Sequence, residues 1–217
     1  MFIVIMGPPG SGKGTQAKIL SETYNIPHIS SGDIFRQAMT VNDEMSIELK
    51  KAINQGHLVS DELTNKIVSR RLSQKDCQSG FVLDGYPRTV SQAKALDTML
   101  KDNNQKIDRV VNLYVDYRVI MERLKKRLFC KSCGSSYNSV TNPPKSSGIC
   151  DQCGSELYTR TDDNSNTVEE RIEVYDKVTK PVLEFYSKKG LLCTIQGNVP
   201  VEVATKSIVD CLEEKSF

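Results

Sequence analysis

The sequence predicts an α/β protein built on a doubly wound parallel sheet, and three observations support this fold class. The apolar run at 2–6 is followed directly by a glycine-rich stretch and then by a helical pattern that begins at Lys13. Short apolar runs and helical patterns then alternate along most of the 217 residues. The alternation is interrupted once, at 129–159, where Ser, Gly, Pro and paired cysteines replace the helical periodicity. Ligands of such sheets bind in the loops at the carboxyl ends of the strands.

The first three elements are a strand, a loop and a helix. Residues 2–6 form the strand, and the loop reads GPPGSGKGT at 7–15. Ala17, Leu20 and Tyr24 recur at roughly helical spacing, which predicts a helix over 13–24. A ligand held by the loop therefore lies at the amino end of this helix.

Similar patterns predict the elements between this helix and the interruption. They are a strand at 26–30, helices from Ser31 to about 39, at 43–54 and at 61–74, a strand at 81–83, a helix at about 90–101, a strand at 109–115 and a helix at 117–127.

Beyond the interruption, the sequence predicts a long helix, a strand and a last helix. Thr167 stands three residues before a glutamate, which is the spacing of a capping box, so the long helix is expected to begin there. Pro181 predicts a kink or junction within it, and Gly190 predicts its end. The strand and the final amphipathic helix are expected at 191–195 and 201–212.

Composition indicates one main globular domain, with 38% hydrophobic and 26% charged residues. Lys and Arg total 29 against 27 Asp and Glu, without a long run of one sign, so general affinity for nucleic acid or anionic membranes is not expected. No stretch approaches the roughly 20 apolar residues of a membrane span, and the first residues do not resemble a secretory signal. We therefore expect a cytoplasmic protein.

The stretch GPPGSGKGT predicts a phosphate site. Its glycines at 7, 10, 12 and 14 allow the backbone to approach a phosphate closely, and Lys13 adds a mobile positive charge. A purely structural glycine-rich turn is the alternative. The residue after Lys13 is Gly14 and the hydroxyl comes at Thr15, so the usual direct bond from this hydroxyl to magnesium is in doubt.

Two cysteine pairs predict a tetrahedral metal site. Cys130 and Cys133 are separated by sixteen intervening residues from Cys150 and Cys153. Four thiolates leave no open coordination position, so a zinc ion here would be structural and would order a segment too poor in apolar residues to form its own core. Reduced cysteines or disulfides are the alternatives. The few basic residues of the segment argue against a nucleic-acid-binding module.

The other three of the seven cysteines have no partner at a useful spacing. We expect Cys77, Cys193 and Cys211 to be small buried residues.

Several arginines lie near element boundaries or at the edge of the cysteine segment. They are Arg36, Arg88, Arg123, Arg127, Arg160 and Arg171. Any one of them alone would be interpreted as a solvated surface residue. Together with the phosphate loop they predict a site that holds several phosphates. Asp84 follows an apolar run and precedes Gly85, a position typical of an aspartate that forms a turn.

Five stretches of the chain are together specific to one family. They are GPPGSGKGT at 7–15, SGDIFR at 31–36, LDGYPRT at 83–89 with Gln92, the four-cysteine insertion, and TRTDD at 159–163 followed by Arg171. Over essentially its whole length the chain resembles adenylate kinases of the long type, with a zinc-stabilised lid. The resemblance implies a P-loop NTPase-like doubly wound parallel sheet with a core at 1–29, 60–125 and 164–217, a helical AMP-binding flap at 30–59 and a zinc lid at 126–163.

The resemblance also implies the reaction and its residues. MgATP would transfer its terminal phosphoryl group in line to AMP, giving two ADP without a covalent intermediate, on a monomeric enzyme. ATP contacts are implied for Gly10, Ser11, Gly12, Lys13, Gly14, Thr15, Arg123, Arg127, Ser136, Tyr137 and Asn198. AMP contacts are implied for Ser31, Arg36, His57, Leu58, Val59, Gly85, Tyr86, Pro87, Arg88, Gln92, Arg160 and Arg171.

Catalytic roles are implied for Lys13, Asp84, Arg88, Arg123, Arg160 and Arg171, and zinc ligation for Cys130, Cys133, Cys150 and Cys153. Asp84 would orient water molecules bound to Mg²⁺. Position 31 is Ser where Thr is commoner, which keeps the hydroxyl. His57 stands at a position that varies in the family, and a plain structural or surface role is its alternative.

Little acid–base chemistry is needed, because the acceptor is already an anionic phosphate. The site must bring two polyanions together in line, neutralise the transferring group and exclude water. Removal of Lys13 is therefore expected to collapse turnover far more than it weakens AMP binding.

Two alternatives stay open at this point. A related nucleoside monophosphate kinase would use another donor or acceptor, such as GTP with AMP, or ATP with UMP or CMP, although the lid type and Gln92 argue against the pyrimidine acceptors. A zinc-bearing, nucleotide-dependent switch or nucleic-acid-binding regulator would share the loop, but it should hydrolyse nucleotide without an acceptor or carry a concentrated basic face.

Overall fold

A computed structural model describes residues 1–39, 44–163 and 165–214. Its strands are β1 (Phe2–Met6), β2 (His28–Ser30), β3 (Phe81–Asp84), β4 (Arg109–Tyr114), β5 (Arg127–Cys130), β6 (Ser136–Asn138), β7 (Leu157–Tyr158) and β8 (Leu192–Gln196). Its helices are α1 (Lys13–Tyr24), α2 (Ser31–Ala38), α3 (Glu44–Asn54), α4 (Asp61–Leu72), α5 (Val90–Lys101), α6 (Tyr117–Lys125), α7 (Ser165–Val174), α8 (Lys180–Ser187) and α9 (Val201–Glu213).

The bounds predicted for α1 and α5 are confirmed. Residue 43, the predicted first residue of α3, lies outside the described residues. So do residue 164 and residues 215–217 of the predicted core.

The central sheet is parallel throughout its described strands, in the order β2-β3-β1-β4-β8. β1 lies in the middle, where Ile3 pairs with Val82 on one side and with Arg109 on the other. A parallel order in which β1 is central requires helical crossovers on both faces. The predicted doubly wound α/β fold is confirmed.

The two faces of the sheet carry separate cores, as the alternation of side chains along a strand requires. Val4 and Met6 of β1 pack in a cluster with residues of α5 and α8. Ile3 and Ile5, one position out of step, pack with residues of α1 and α9. The carboxyl ends of the strands, and the loops that follow them, are thereby fixed at one edge.

The cysteine segment forms a separate small sheet. β5 pairs antiparallel with β6 and with β7, in the order β6-β5-β7. The helix predicted at 117–127 is two residues too long, because α6 ends at Lys125 and Arg127 already pairs with Asn138 in this sheet. The loss of helical periodicity therefore located the segment, but the segment begins at Arg127, two residues earlier than predicted, because this residue is already paired in β5.

The long helix predicted from Thr167 to about 189 is divided. α7 ends at Val174, a π-helical turn covers 175–179, and α8 begins directly before Pro181. Proline in a first helical turn leaves no amide hydrogen bond unmade, which explains the junction here. The predicted cap at Thr167 is wrong, because α7 already begins at Ser165 and includes this residue.

The expectation of three unpaired cysteines is wrong for two of them. Cys193 of β8 and Cys211 of α9 form a disulfide across 18 positions of sequence. The pairing depends on how α9 packs against β8, for which spacing gives no signal. Cys77 is free and buried, as predicted. Among the described helices, none has the length and hydropathy needed to cross a bilayer.

Candidate active site

The glycine-rich loop joins β1 to α1 with a backbone that few other residues tolerate. Gly10 and Gly12 have φ values of +74° and +96°, a region that L side chains rarely adopt. Gly12 gives α1 no side-chain cap, so the N–H groups of the first turn are suited to an anion. The hydroxyl of Ser11 is buried and has no hydrogen-bond partner among the described residues. This loop fits a polyphosphate.

The ammonium group of Lys13 folds back over the loop and donates to the carbonyl oxygen of Pro8 at 2.8 Å. Burial is the main cause that lowers its pKa to about 8; the charge of Asp84 opposes this shift. Nearby positive charges lower the pKa further, and they belong to Arg88, Arg171 and Arg127. The lysine, the three arginines and the carboxylate of Asp84 are therefore close enough for their charges to interact.

Asp84 ends β3 beside the amino end of α1. Its Oδ2 lies 3.8 Å from Nε2 of His28, and a Cβ atom added at Gly14 would lie 3.6 Å from the same oxygen. Burial acts to raise the pKa of this carboxyl, but His28, Lys13 and Arg88 outweigh burial and the pKa is lowered. An ionised carboxylate at this position suits Mg²⁺, because the ion prefers oxygen ligands and its bound water molecules can donate hydrogen bonds to a carboxylate.

A pocket lies between α2, α3 and the loop that follows β3. Its empty volume is about 600 Å³, including space open to solvent. The walls bring together the predicted residues Arg36, His57, Leu58, Val59, Gly85, Arg88, Gln92 and Arg171. Phe35 and Ile53 add apolar surface, so the pocket combines apolar walls with convergent polar groups, as ligand sites do.

The backbone is tight where this pocket meets β3. Gly85 has a φ of +80°, and an added Cβ would lie 2.7 Å from Oγ of Ser31. That hydroxyl is buried and has no hydrogen-bond partner in the described part of the chain. Arg88 donates from Nε to the carbonyl oxygen of Gly85 at 2.7 Å. Burial, and then the charge of Arg171, lowers the pKa of Arg88 to about 10.

A second pocket connects the glycine-rich loop to the first one. Its empty volume is about 540 Å³, again including open solvent. Lys13, Arg88 and Arg171 line it together. Pro87 and Tyr86 also line it, and the hydroxyl of Tyr86 donates to Oδ1 of Asn65 at 2.7 Å. The loop and the first pocket thus meet at three cationic side chains.

Buried carboxylates hold the arginines that arrive from the second sheet and from α7. Asp163, whose side chain is fully buried, pairs with Arg127 and lies 3.3 Å from Arg171. Asp162 accepts from Arg171 through its carboxylate at 3.0 Å and through its backbone carbonyl at 3.1 Å. Burial is the main cause that lowers the pKa of Arg171. The guanidinium groups are therefore oriented before any ligand binds.

Asp33 connects α2 to the chain that follows β7. It pairs with Arg36 on its own helix and lies 3.7 Å from Arg160. The guanidinium carbon of Arg160 lies 3.2 Å from the ring centroid of Phe129. Burial, and then the charge of Arg36, lowers the pKa of Arg160 to about 10. His57 contacts α7, with Nε2 3.5 Å from a carboxylate oxygen of Glu170.

Two further residues predicted for ATP, Arg123 and Asn198, lie at the segment around Gly197. Arg123 donates to the carbonyl oxygen of Gly197 at 2.8 Å, and burial lowers its pKa. Oδ1 of Asn198 accepts from the amide of Asp116 at 3.3 Å. This contact fixes the 197–198 segment next to α6.

The four cysteines of the second sheet converge. The sulfur atoms of Cys130, Cys133, Cys150 and Cys153 all lie within 4.8 Å of one another. Four thiols at this separation are a donor set for tetrahedral zinc. The hydroxyl of Tyr137 lies 3.4 Å from the sulfur of Cys150 and accepts from the amide of Asp151 at 2.9 Å. Ser136 is exposed, whereas the side chain of Tyr137 is buried against the cysteines.

Comparison with known proteins agrees with this geometry. The family model described as adenylate kinase matches residues 5–191. The chain belongs to the adenylate kinase family. It is 51% identical to the adenylate kinase of Geobacillus sp. (strain WCH70) and 50% identical to that of Bacillus pumilus (strain SAFR-032), over 98% of this chain and of each relative. It is 47% identical to the adenylate kinase of Enterococcus faecalis (strain ATCC 700802 / V583), over 99% of this chain and 100% of the relative.

In this adenylate kinase, sequence reasoning missed the groups that orient the predicted cations. Asp33, Asp162 and Asp163 were contained in the quoted stretches SGDIFR and TRTDD, where an aspartate close to a phosphate-binding arginine was the available signal. His28 and Asp61 gave no such signal, because their partners Asp84 and Gln92 are far away in sequence.

Proposed function

We propose that this member of the adenylate kinase family transfers the terminal phosphoryl group of MgATP to AMP in one in-line step, giving two ADP, and that the reaction is reversible. The observation that carries the proposal is the second pocket, where Lys13 of the loop meets Arg88, which follows β3, and Arg171 of α7. A polyphosphate on the loop and a monophosphate in the first pocket would face each other there.

The ATP side consists of the loop and the lid. The backbone of 10–15 and the ammonium group of Lys13 bind the phosphates, since both offer donors to an anion. Arg123 and Arg127 approach from the start of the lid, and Asn198 lies near the adenine. Ser136 is exposed. Because the side chain of Tyr137 is buried against the cysteines, this residue contacts ATP through its main chain.

The AMP side consists of the first pocket. Arg36, Arg88 and Arg171 bind its phosphate, Arg160 approaches from the lid, and the unpartnered hydroxyl of Ser31 adds a donor. The base lies among the other residues of the set, which are His57, Leu58, Val59, Gly85, Tyr86, Pro87 and Gln92. Gly85 must stay glycine here, since a Cβ would meet Ser31.

Catalysis is then positioning and charge neutralisation. Lys13 and the arginines stabilise the negative charge of the transferring group, and closure of the lid excludes the water that would hydrolyse ATP. Mg²⁺ bound to ATP supplies further positive charge on the donor phosphates, and Asp84 orients its water ligands. The acceptor is an anion throughout, so no side chain has to remove a proton.

We further propose that the four converging cysteines hold one structural Zn²⁺. The cluster around Cys130, Tyr137 and Cys150 is small, and four metal–thiolate bonds would supply the order that this core cannot. The division into core, flap and lid, the monomeric state, the cytoplasmic location and the lack of nucleic-acid and membrane partners remain predictions.

A nucleotide panel tests the function. The purified chain is incubated with MgATP and, separately, with AMP, UMP, CMP or no acceptor, and nucleotides are quantified by chromatography. We expect two ADP for each AMP consumed and little hydrolysis without acceptor; GTP in place of ATP tests the donor. Hydrolysis that does not depend on AMP would contradict the proposal and favour a switch. Metal analysis of the same sample should give one zinc per chain.

A further inference from the structure

The side chain of Gln92 is held in one orientation at the wall of the first pocket. The residue is only 2% exposed. Its Oε1 accepts from the backbone amide of Arg88 at 2.7 Å, and its Nε2 donates to Oδ1 of Asp61 at 2.7 Å. An amide nitrogen cannot accept the Arg88 hydrogen, and an amide oxygen cannot donate to a carboxylate. Exchange of the two ends would therefore break both bonds.

Asp61 is itself fixed by a second bond. Its Oδ2 accepts from the hydroxyl of Thr89 at 2.9 Å, and this hydroxyl accepts from the amide of Gln92 as the cap of α5. Asp61, Thr89 and Gln92 thus form a closed ring of hydrogen bonds between α4 and the start of α5, completed by the backbone amide of Gln92. Asp61 is the one member that accepts twice and that comes from α4, 31 positions before Gln92.

We propose that Asp61 is a positioning residue that sets the preference of the acceptor pocket for a 6-aminopurine base. The inference rests on the proposed function, because it assumes that the first pocket holds the base of the acceptor monophosphate. Gln92 lines that pocket. After its bonds to Arg88 and Asp61, its amide keeps one N–H donor and lone-pair capacity on its oxygen.

A 6-aminopurine places a donor on its exocyclic nitrogen beside an acceptor at ring position 1. A 6-oxopurine presents the opposite order, with an acceptor oxygen beside a donor N–H. An amide held in one orientation pairs with only one of these orders, whereas an amide that can turn over serves both. A site that pairs the polar groups of one base leaves them unpaired with the other, which is a strong source of selectivity.

The experiment compares AMP with inosine monophosphate as acceptors in kinetics with MgATP. Asp61→Ala removes both acceptor oxygens. We expect KM for AMP to rise about tenfold, the loss of roughly one hydrogen bond. We expect the ratio of kcat/KM for AMP to that for inosine monophosphate to fall at least as much. KM for ATP should stay unchanged, because Asp61 does not line the loop.

Two variants separate positioning from charge and from folding. Asp61→Asn keeps one oxygen to accept from Gln92, while its amide can donate to Thr89, so it should restore the selectivity ratio to within about threefold of the original. Glu62→Ala, at the exposed neighbouring position of α4, is the matched control and should leave both acceptors unaffected. If Asp61→Ala does not fold, Asp61→Ser keeps a hydroxyl at the start of the helix but is too short to reach Gln92.

Equal losses for both acceptors in Asp61→Ala, or an unchanged ratio, would overturn the inference, since a merely structural role would move both in parallel. An Asp61→Asn variant as unselective as Asp61→Ala would also overturn it. Failure of the proposed function would look different, because the unaltered chain would then form no ADP from ATP and AMP.

Discussion

Lys13 carries its charge into a site that already contains several arginines, and this gives the reaction a pH dependence. In the free protein the pKa of Lys13 is about 8, so the protonated form of this side chain is lost as pH rises through this value. We expect kcat/KM for ATP to fall about tenfold for each pH unit above 8, since kcat/KM reports the free enzyme. The fall in kcat should occur at higher pH, because bound phosphates raise the pKa of the lysine.

The check is a pair of pH profiles at constant free Mg²⁺, for the original chain and for Lys13→Arg. An arginine at position 13 stays protonated, so the residual activity of this variant should show no fall near pH 8. The same fall near pH 8 in both proteins would show that another group is responsible.

Gly85 offers a second test at the residue scale, with a control inside the same chain. Gly85 and Gly134 have similar φ values of +80° and +70°, but a Cβ would meet Ser31 at 2.7 Å in the first case and nothing within 4 Å in the second. Both alanine variants carry the backbone cost, on the order of 1 kcal/mol. Gly85→Ala should add the clash, which we expect to raise KM for AMP about tenfold or more.

Steady-state kinetics and thermal unfolding of both variants decide this. Gly134→Ala should lose some stability and keep its KM for AMP. A Gly85→Ala variant with unaltered AMP kinetics would mean that the backbone at this position does not shape the acceptor site.

Single residues were predictable from the sequence where the chemistry is local. The loop glycines and Lys13 occupy a fixed spacing, and the arginines are cations near element boundaries. The partners of these residues were not predictable in the same way. Asp61 meets Gln92 only after α4 has packed against α5, and His28 meets Asp84 only after β2 has paired with β3. Sequence distance hides such pairs.

The small sheet that carries the four converging cysteines is the element whose stability should depend on a bound metal ion. Cys133 is an exposed member of the cluster, so its substitution by serine removes a thiolate and little apolar burial. We expect Cys133→Ser to lose its metal and to lower the unfolding midpoint by about 4–20 °C, as a loss of about 2–5 kcal/mol would in a chain of this length.

Metal content and calorimetry of Cys133→Ser are compared with those of Val140→Ala, a control at an exposed position of the same segment. The control should keep both its metal and its midpoint. An unaltered midpoint in Cys133→Ser, together with full loss of metal, would remove the structural role assigned to the ion.

Elements were predicted best where one local signal dominates. α1 and α5 have the predicted bounds, since a glycine loop and a threonine cap define their starts. α6 ends early because β5 pairs with β6, and the disulfide between Cys193 and Cys211 forms because α9 packs on β8. These departures share one cause, which is that contacts between elements override local pattern.

For the whole molecule, the convergence of cations predicts how ligand and stability are linked. Burial, and then the charge of Arg171, lowers the pKa of Arg88, which means that the folded chain without ligand disfavours the charged side chain. A compound that joins two adenosines through a polyphosphate would neutralise this site from both sides. At about 1,000 times its Kd it should stabilise the fold by about 4 kcal/mol, which corresponds to roughly 8–16 °C here.

Arg88→Met tests the origin of this stabilisation. Without ligand the variant should unfold at the same temperature as the original chain or above it, because the loss of an unfavourable buried charge offsets the lost bond to Gly85. The ligand-induced shift, measured at a fixed concentration, should fall by more than half. Arg118→Met, at an exposed position of α6, should keep the full shift. Equal shifts in both variants would mean that the bound polyanion does not reach the junction of the two pockets, and the arrangement of donor and acceptor inferred from Lys13, Arg88 and Arg171 would then be wrong.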